Sequence, residues 1–257
     1  MRLVTFNILN GRHPADDHVD VDAFAAAVRS LDADVLALQE VDRNQPRSGH
    51  ADLTAVAAEA MGATDSRFVA ALSGSPGATW VAATGEEQPD AAAYGIALLS
   101  RRPVRAWQII RLPVLRTRVP MKFRDSLLPT LVQDEPRVAV AADVETGGAT
   151  GSGVITVANT HLSFVPWWNG RQLRSLVSSL DTSQRPLVVV GDLNMDGERA
   201  VRTTRMRALA AHPTFPSHAP GEQLDHVLAD GDVSVRATEA REMALSDHRA
   251  LVVDLVL

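Results

Sequence analysis

The chain of 257 residues contains no cysteine, a single lysine (Lys122) and a single tyrosine (Tyr94). Without thiols there can be no disulfide, no thiolate nucleophile and no thiolate metal site, so any bound metal must be held by oxygen or imidazole. The scarcity of lysine makes arginine the general cation of this chain, and one arginine is correspondingly weak as a sign of phosphate recognition. No apolar run approaches the ~20 residues of a membrane helix. The opening stretch MRLVTFNILNGRH has too short an apolar run and no small-residue cleavage site for a signal peptide, so a cytoplasmic location is expected. Positive charge is also short: 25 Lys and Arg against 31 Asp and Glu leave a formal net charge of −6. That is not the field of a protein living on nucleic acid, which stays an alternative partner rather than the favoured one.

What is present is ordinary globular material, with 46% apolar residues and no repeat, low-complexity tract or linker, so one domain over residues 1–257 is expected. Residues 2–8 alternate as a strand that stops at Asn7. Phe24, Val28 and Leu31 recur at helical spacing, residues 35–39 form a strand ending at Glu40, and Leu53, Val56, Ala57 and Met61 mark a helix stopped by Gly62. From 67 to 144 the pattern is strands and turns. Further strands follow at 154–159, 187–190, 224–228, 233–238 and 250–257, with helices around Leu173–Leu180 and over 198–210. Residues 115–136, with three prolines, read as a long loop. The mixture of βα units with antiparallel runs predicts an α/β domain of packed sheets flanked by helices.

Polar residues stand where the apolar strands stop: Asn7, Glu40, His161, Asp192 with Asn194, Asp225, and Asp247 with His248. Singly, each has a bland reading as a turn, cap or solvated strand end. Together they supply acids and an amide for a hard oxygen-rich metal site, and two histidines with aspartates that can orient them and move protons. A metal-assisted hydrolase is the natural reading.

In order, FNI, QEV, YGIALLSR, NTHL, GDLN, LDHV and SDHRALVVDL resemble the motifs of the endonuclease/exonuclease/phosphatase family of metal-dependent phosphoesterases, over nearly the whole chain. The resemblance implies a four-layer α/β (α+β) sandwich, two packed mixed β-sheets flanked by helices, with the site at one end. It implies Glu40 as principal metal ligand, Asn7 and Asp247 completing the site directly or through water, and Mg2+ or Mn2+ as the ion. Asp192 would position or deprotonate the attacking water, and Asn194 would hold a phosphoryl oxygen. His248, oriented by Asp225, would donate to the phosphate or act as base, and His161 would stabilise charge. Arg137 resembles the arginine of the family's EPR stretch and is, with Tyr94, Trp167 and Trp168, a candidate substrate contact.

The family's AP endonucleases carry tyrosine where this chain has His161, and its pancreatic-type deoxyribonucleases place an acid near the position of Tyr94. The chain thus resembles the histidine-bearing branch of deoxyribonucleases, sphingomyelinases and inositol-phosphate phosphatases more than the AP endonucleases. Nine basic residues against three acids between 101 and 137 give that stretch a local charge of +6, which frames an anionic substrate or is simply a solvated face. The adjacent indoles of FVPWWNGRQ read as a loop beside the site, one ring packed and the other free for a lipid interface, a base or a small ligand. A small or lipid-derived phosphoester is the favoured substrate. A nuclease and a non-catalytic binding protein on the same fold are the alternatives.

Overall fold

The computed structural model describes residues 1–16, 18–121, 129–147 and 153–257. From the N-terminus run β1 (Arg2–Asn7), α1 (Val21–Leu31), β2 (Val35–Arg43), α2 (Leu53–Met61), β3 (Asp65–Gly74), β4 (Trp80–Ala82) and β5 (Ala93–Ser100). The middle supplies β6 (Val104–Arg111), β7 (Val119–Met121), β8 (Thr130–Val132) and β9 (Val138–Glu145). There follow β10 (Val154–His161), α3 (Pro166–Ser179), β11 (Leu187–Asp192), α4 (Gly197–Thr204), β12 (Arg207–Ala208), β13 (Asp225–Asp230), β14 (Ser234–Arg241) and β15 (Ala250–Val256).

Strand periodicity sorts these residues into layers. In β1, Leu3 faces a core shared by two sheets, whereas Val4 and Phe6 face the helices. The same alternation in β2 sends Val35 and Ala37 inward and Leu36 and Leu38 outward, onto Phe24, Val28 and Leu31 of α1 and Leu53 of α2. On the other side, Val188 and Val190 of β11 meet the shared core, and Val189 packs under Leu173 and Leu176 of α3. Among the described residues the sheets have the orders β14-β15-β1-β2-β5-β3-β4 and β12-β13-β11-β10-β9-β6. Both are mixed, β1 with β2 and β10 with β11 being parallel pairs. The result is the four-layer sandwich that the sequence motifs imply.

Helix ends obey local chemistry. The Asp20 carboxylate caps α1 by accepting from the Ala23 amide at 2.9 Å, and Asp52 caps α2 through the amides of Thr54 and Ala55. Gly62 ends α2 at φ +68, a left-handed conformation that glycine adopts at least cost.

Four expectations require correction. The helix expected over 198–210 stops at Thr204, because Arg205 turns left-handed and residues 207–208 pair as β12 with Ala229 and Leu228. The 115–136 stretch is not all loop: β7 and β8 form a hairpin there, with Lys122 and Arg124 of the basic stretch outside the described residues. Trp167 and Trp168 lie in the first turn of α3 rather than on a loop, since Pro166 starts the helix. Strand β2 does not end at Glu40 but continues to Arg43 across a register shift between Leu38 and Val41.

The two sheets are joined by a buried polar clamp. Gln39 Nε2 donates to Thr5 Oγ1 at 3.0 Å and to Asn159 Oδ1 at 2.7 Å, and Asn159 Nδ2 donates to the carbonyls of Leu38 and Ala97. Gln39 and Asn159 are fully buried, so each lost bond leaves a desolvated polar group. Asn159→Leu is expected to destabilise the fold by about 2–3 kcal/mol, read from urea unfolding.

Candidate active site

The alternation that builds the shared core also builds the site. Inward positions are apolar along each strand and turn polar at one end: Leu3, Thr5, Asn7 in β1; Ile155, Val157, Asn159, His161 in β10; Val188, Val190, Asp192 in β11; and, reversed, Ala229, Val227, Asp225 in β13. Register brings those ends together, because His161 pairs with Asp192 and Asp192 with Asp225. Glu40 reaches the same end through the β2 irregularity, which holds it at φ +56, a conformation unusual for a non-glycine residue and one that clusters at functional sites.

Asn7 Nδ2 lies 3.1 Å from Glu40 Oε1 and 3.1 Å from Asp192 Oδ2, while its Oδ1 accepts the Leu9 amide. Asn7 thus bridges the two carboxylates as a donor. Asp192 Oδ1 accepts the Asn194 amide at 3.0 Å, and its Oδ2 lies 3.5 Å from His161 Nε2 and 3.8 Å from His248 Nε2. His248 Nδ1 donates to Asp225 Oδ2 at 2.8 Å, and the same oxygen accepts the Thr214 hydroxyl at 2.6 Å. Asn194 is fixed twice, its Nδ2 on the Leu162 carbonyl and its own carbonyl on Asn169 Nδ2.

Burial acts on these groups in opposite senses. It raises the Asp192 carboxyl to about 7, against the nearby His248 cation. Burial alone would lower His248, but the Asp225 charge and hydrogen bond outweigh it and raise the imidazole to about 10. His161 is pushed well below its ordinary value by burial, then by the Arg137 and His248 cations, so it is neutral. Burial also raises Glu40, opposed by the Asn7 hydrogen bond and reinforced by Asp247. The outcome is a neutral imidazole and an imidazolium flanking a carboxylate that titrates near neutrality.

Asp225→Asn removes the charge that keeps His248 protonated. If catalysis uses the imidazolium, the alkaline limb of the kcat pH profile is expected to fall by about 1–3 pH units. A limb that stays in place assigns it to another group.

Arg137 is buried, its Nη2 3.7 Å from Glu135 and 4.0 Å from Asp134, and its charge reaches both His161 and Glu40. Tyr94 is partly exposed and feels the charges of Glu40, Glu135 and Arg137. Trp168 packs on Leu115 and Val165, whereas the Trp167 ring is 58% exposed.

Two groupings offer ligands to a cation. Ligand atoms of Asp192, Asp225 and His248 lie within 4.8 Å of one another. Their mutual hydrogen bond and the Thr214 hydroxyl already occupy Nδ1 and Oδ2, so a cation there would have to break the contact that orients His248. Glu40 instead has a second acid, Asp247, near enough for its charge to raise the Glu40 carboxyl, and a hard divalent cation relieves that repulsion. These oxygen donors fit such an ion.

Several contributors escaped the sequence reading. Ser246 accepts the His248 amide and donates to the Asn7 carbonyl at 2.6 Å, tying the last motif to the first. Arg47 is paired with the buried Asp42 through two 2.7 Å bonds and lies 5.7 Å over the Tyr94 ring. Trp80 sits 5.8 Å from Tyr94. Thr214, Arg47 and Trp80 lie in stretches without a strand-end pattern; only Ser246, two residues before His248, carried a local turn signal.

The Endonuclease/Exonuclease/phosphatase family profile matches residues 4–248, and the chain belongs to that family. Its members are generally hydrolytic phosphoesterases and typically depend on divalent metals. No curated protein matches the chain. Among solved structures it is similar to an endonuclease/exonuclease/phosphatase from Beutenbergia cavernae, at 22% identity and TM-score 0.69, covering 100% of this chain and 71% of that one. A mannosyl-6-phosphatase from Bacteroides thetaiotaomicron gives 14% identity and TM-score 0.64, with 100% of both chains covered. The human Nocturnin catalytic domain, solved with a sulfate anion, gives 17% identity and TM-score 0.63, over 100% of this chain and 93% of that one. At these identities the likeness establishes the fold.

Proposed function

We propose that this protein hydrolyses phosphoester bonds by in-line attack of water, with Mg2+ or Mn2+ as cofactor and a small or lipid-derived ester as substrate. The observation that carries the reading is the position of Asp192 Oδ2, 3.5 Å from His161 Nε2 and 3.8 Å from His248 Nε2, a carboxylate and two imidazoles facing one point.

The division of labour follows from the opposed shifts. Asp192, titrating near 7, takes the proton of the attacking water at neutral pH. His248 holds its proton up to about pH 10 and gives a hydrogen bond from Nε2 to a phosphoryl oxygen, while Asp225 fixes the ring through Nδ1. His161 is neutral and adds an N–H donor without adding charge, and Asn194 offers its amide to another oxygen. Glu40 and Asp247 would hold the divalent ion, which when bound neutralises charge on the phosphoryl group. Asn7 keeps Glu40 and Asp192 in register with each other.

Both ester classes stay open, because one fold neighbour is a phosphatase by name and another was solved with an anion the size of phosphate. The exposed Trp167 supports peripheral contact with a lipid surface. Bis(p-nitrophenyl) phosphate and p-nitrophenyl phosphate, assayed with Mg2+ and with EDTA, test the reading. Turnover that EDTA stops and Mg2+ restores is expected, and no turnover of either ester under any divalent ion overturns it. Plasmid nicking faster than turnover of the small esters favours the nuclease alternative.

A further inference from the structure

Beside the reaction centre lies a cleft of about 550 Å³ between β4 and the segments flanking the β7–β8 hairpin, lined by Trp80, Val81, Leu115, Arg116, Asp134 and Glu135 among others. It is joined to the site on two sides. Trp80 lies 5.8 Å from Tyr94, which feels the Glu40 charge, and Glu135 in the cleft wall lies 3.7 Å from Arg137, which acts on His161. Val81 is 53% exposed there although it is a large apolar residue.

We propose that this cleft binds the organic group esterified to the phosphate, and that the group is uncharged and apolar, an aryl or alkyl chain. The inference rests on the phosphoesterase reading above. Volume, lining and charge select the occupant. The space lies in the range that holds a small organic ligand, about 300–1,000 Å³. Trp80, Val81 and Leu115 offer it apolar surface, and a strongly hydrated group would lose water against them without replacement. Asp134 and Glu135 are matched by Arg116 in the lining and by Arg137 behind it, so the wall offers no surplus positive charge to the next phosphate of a polynucleotide. A small lipophilic ester meets neither obstacle.

Calorimetric binding of n-alkylphosphonates from methyl to octyl, in Mg2+, tests this directly, since the phosphonate anchors at the site and the chain must find the cleft. Affinity is expected to rise about three- to fourfold per methylene until the cleft is filled. Val81→Asp, at an exposed edge-strand position, is expected to flatten the series while leaving methylphosphonate affinity within about twofold, and Trp80→Ala is expected to flatten it as well. A flat wild-type series, with bis(p-nitrophenyl) phosphate still hydrolysed, overturns the cleft and leaves the phosphoesterase reading standing. A series that rises equally in both variants also overturns it, because the apolar contact then lies elsewhere. Absence of both methylphosphonate binding and turnover defeats the underlying reading itself.

Discussion

Asp192→Asn is expected to lower kcat by about 10²–10⁴-fold with KM changed only severalfold, the loss appropriate to a positioned base. The substitution keeps the shape of the side chain and removes its ability to take a proton. The substituted amide can still accept the Asn194 amide through its one oxygen, but where Asp192 Oδ2 now accepts Asn7 Nδ2 at 3.1 Å it would present a second N–H group. Stability should move the other way. A carboxyl whose folded value of about 7 lies above its unfolded value binds its proton more tightly when folded. Between about pH 4 and pH 7 the fold therefore weakens as the pH rises, and above that range the whole penalty stands. Asparagine carries no such penalty. In EDTA at pH 8 the variant's thermal midpoint should equal or exceed that of the wild type, while its activity has gone. A variant that is inactive and also melts early would make Asp192 a structural residue and not the base.

That exchange of stability for chemistry explains what could be seen in the sequence and what could not. The inward faces of β1, β10 and β11 were legible because period-two alternation runs apolar and then breaks into Asn7, His161 and Asp192. The break marks the strand end, and the strand end is where a side chain leaves the shared core for the cleft. Glu40 was legible as a polar residue but not as the occupant of an irregular strand. Its positive φ comes from the mismatch between β2 and β5, which is a property of two strands together and has no signature in either alone. Gln39 and Asn159 failed to stand out for a related reason. Each stands inside a motif, QEV or NTHL, but its value lies in meeting the other across 120 positions of chain. The overlong helix at 198–210 shows tertiary override of local propensity: the left-handed turn at Arg205 frees residues 207–208 to extend the sheet edge.

The roles of the two histidines, equivalent as letters, separate only when their neighbours are known. His248 has Asp225 on Nδ1 and becomes a stable cation, whereas burial, and after it the Arg137 charge, keeps His161 neutral. A site with both imidazoles charged would repel itself. With one cation and one neutral donor it would offer the proposed phosphoester two N–H groups without storing excess charge.

Glu40→Gln should have the second large effect, and it can be read without any turnover. Burial, reinforced by the Asp247 charge, makes Glu40 costly to ionise, and a divalent cation removes that cost on binding. Wild-type protein should therefore melt higher in Mg2+ than in EDTA, with a gain of RT ln(1 + [Mg2+]/Kd), about 2.7 kcal/mol at a hundredfold excess over Kd. A glutamine side chain at this position accepts only as a neutral amide, so the Mg2+-dependent gain should fall to near zero, while the midpoint in EDTA stays level or rises because a partly buried acid has been removed. Activity should fall by at least about 10²–10³-fold, the scale of losing one preorganised stabiliser of the oxyanion. The two readouts divide the outcomes. If Glu40→Gln abolishes turnover but keeps the Mg2+ shift, the ion is held by Asp192, Asp225 and His248, whose ligand atoms also converge, and Asp225→Asn should then remove the shift in its place.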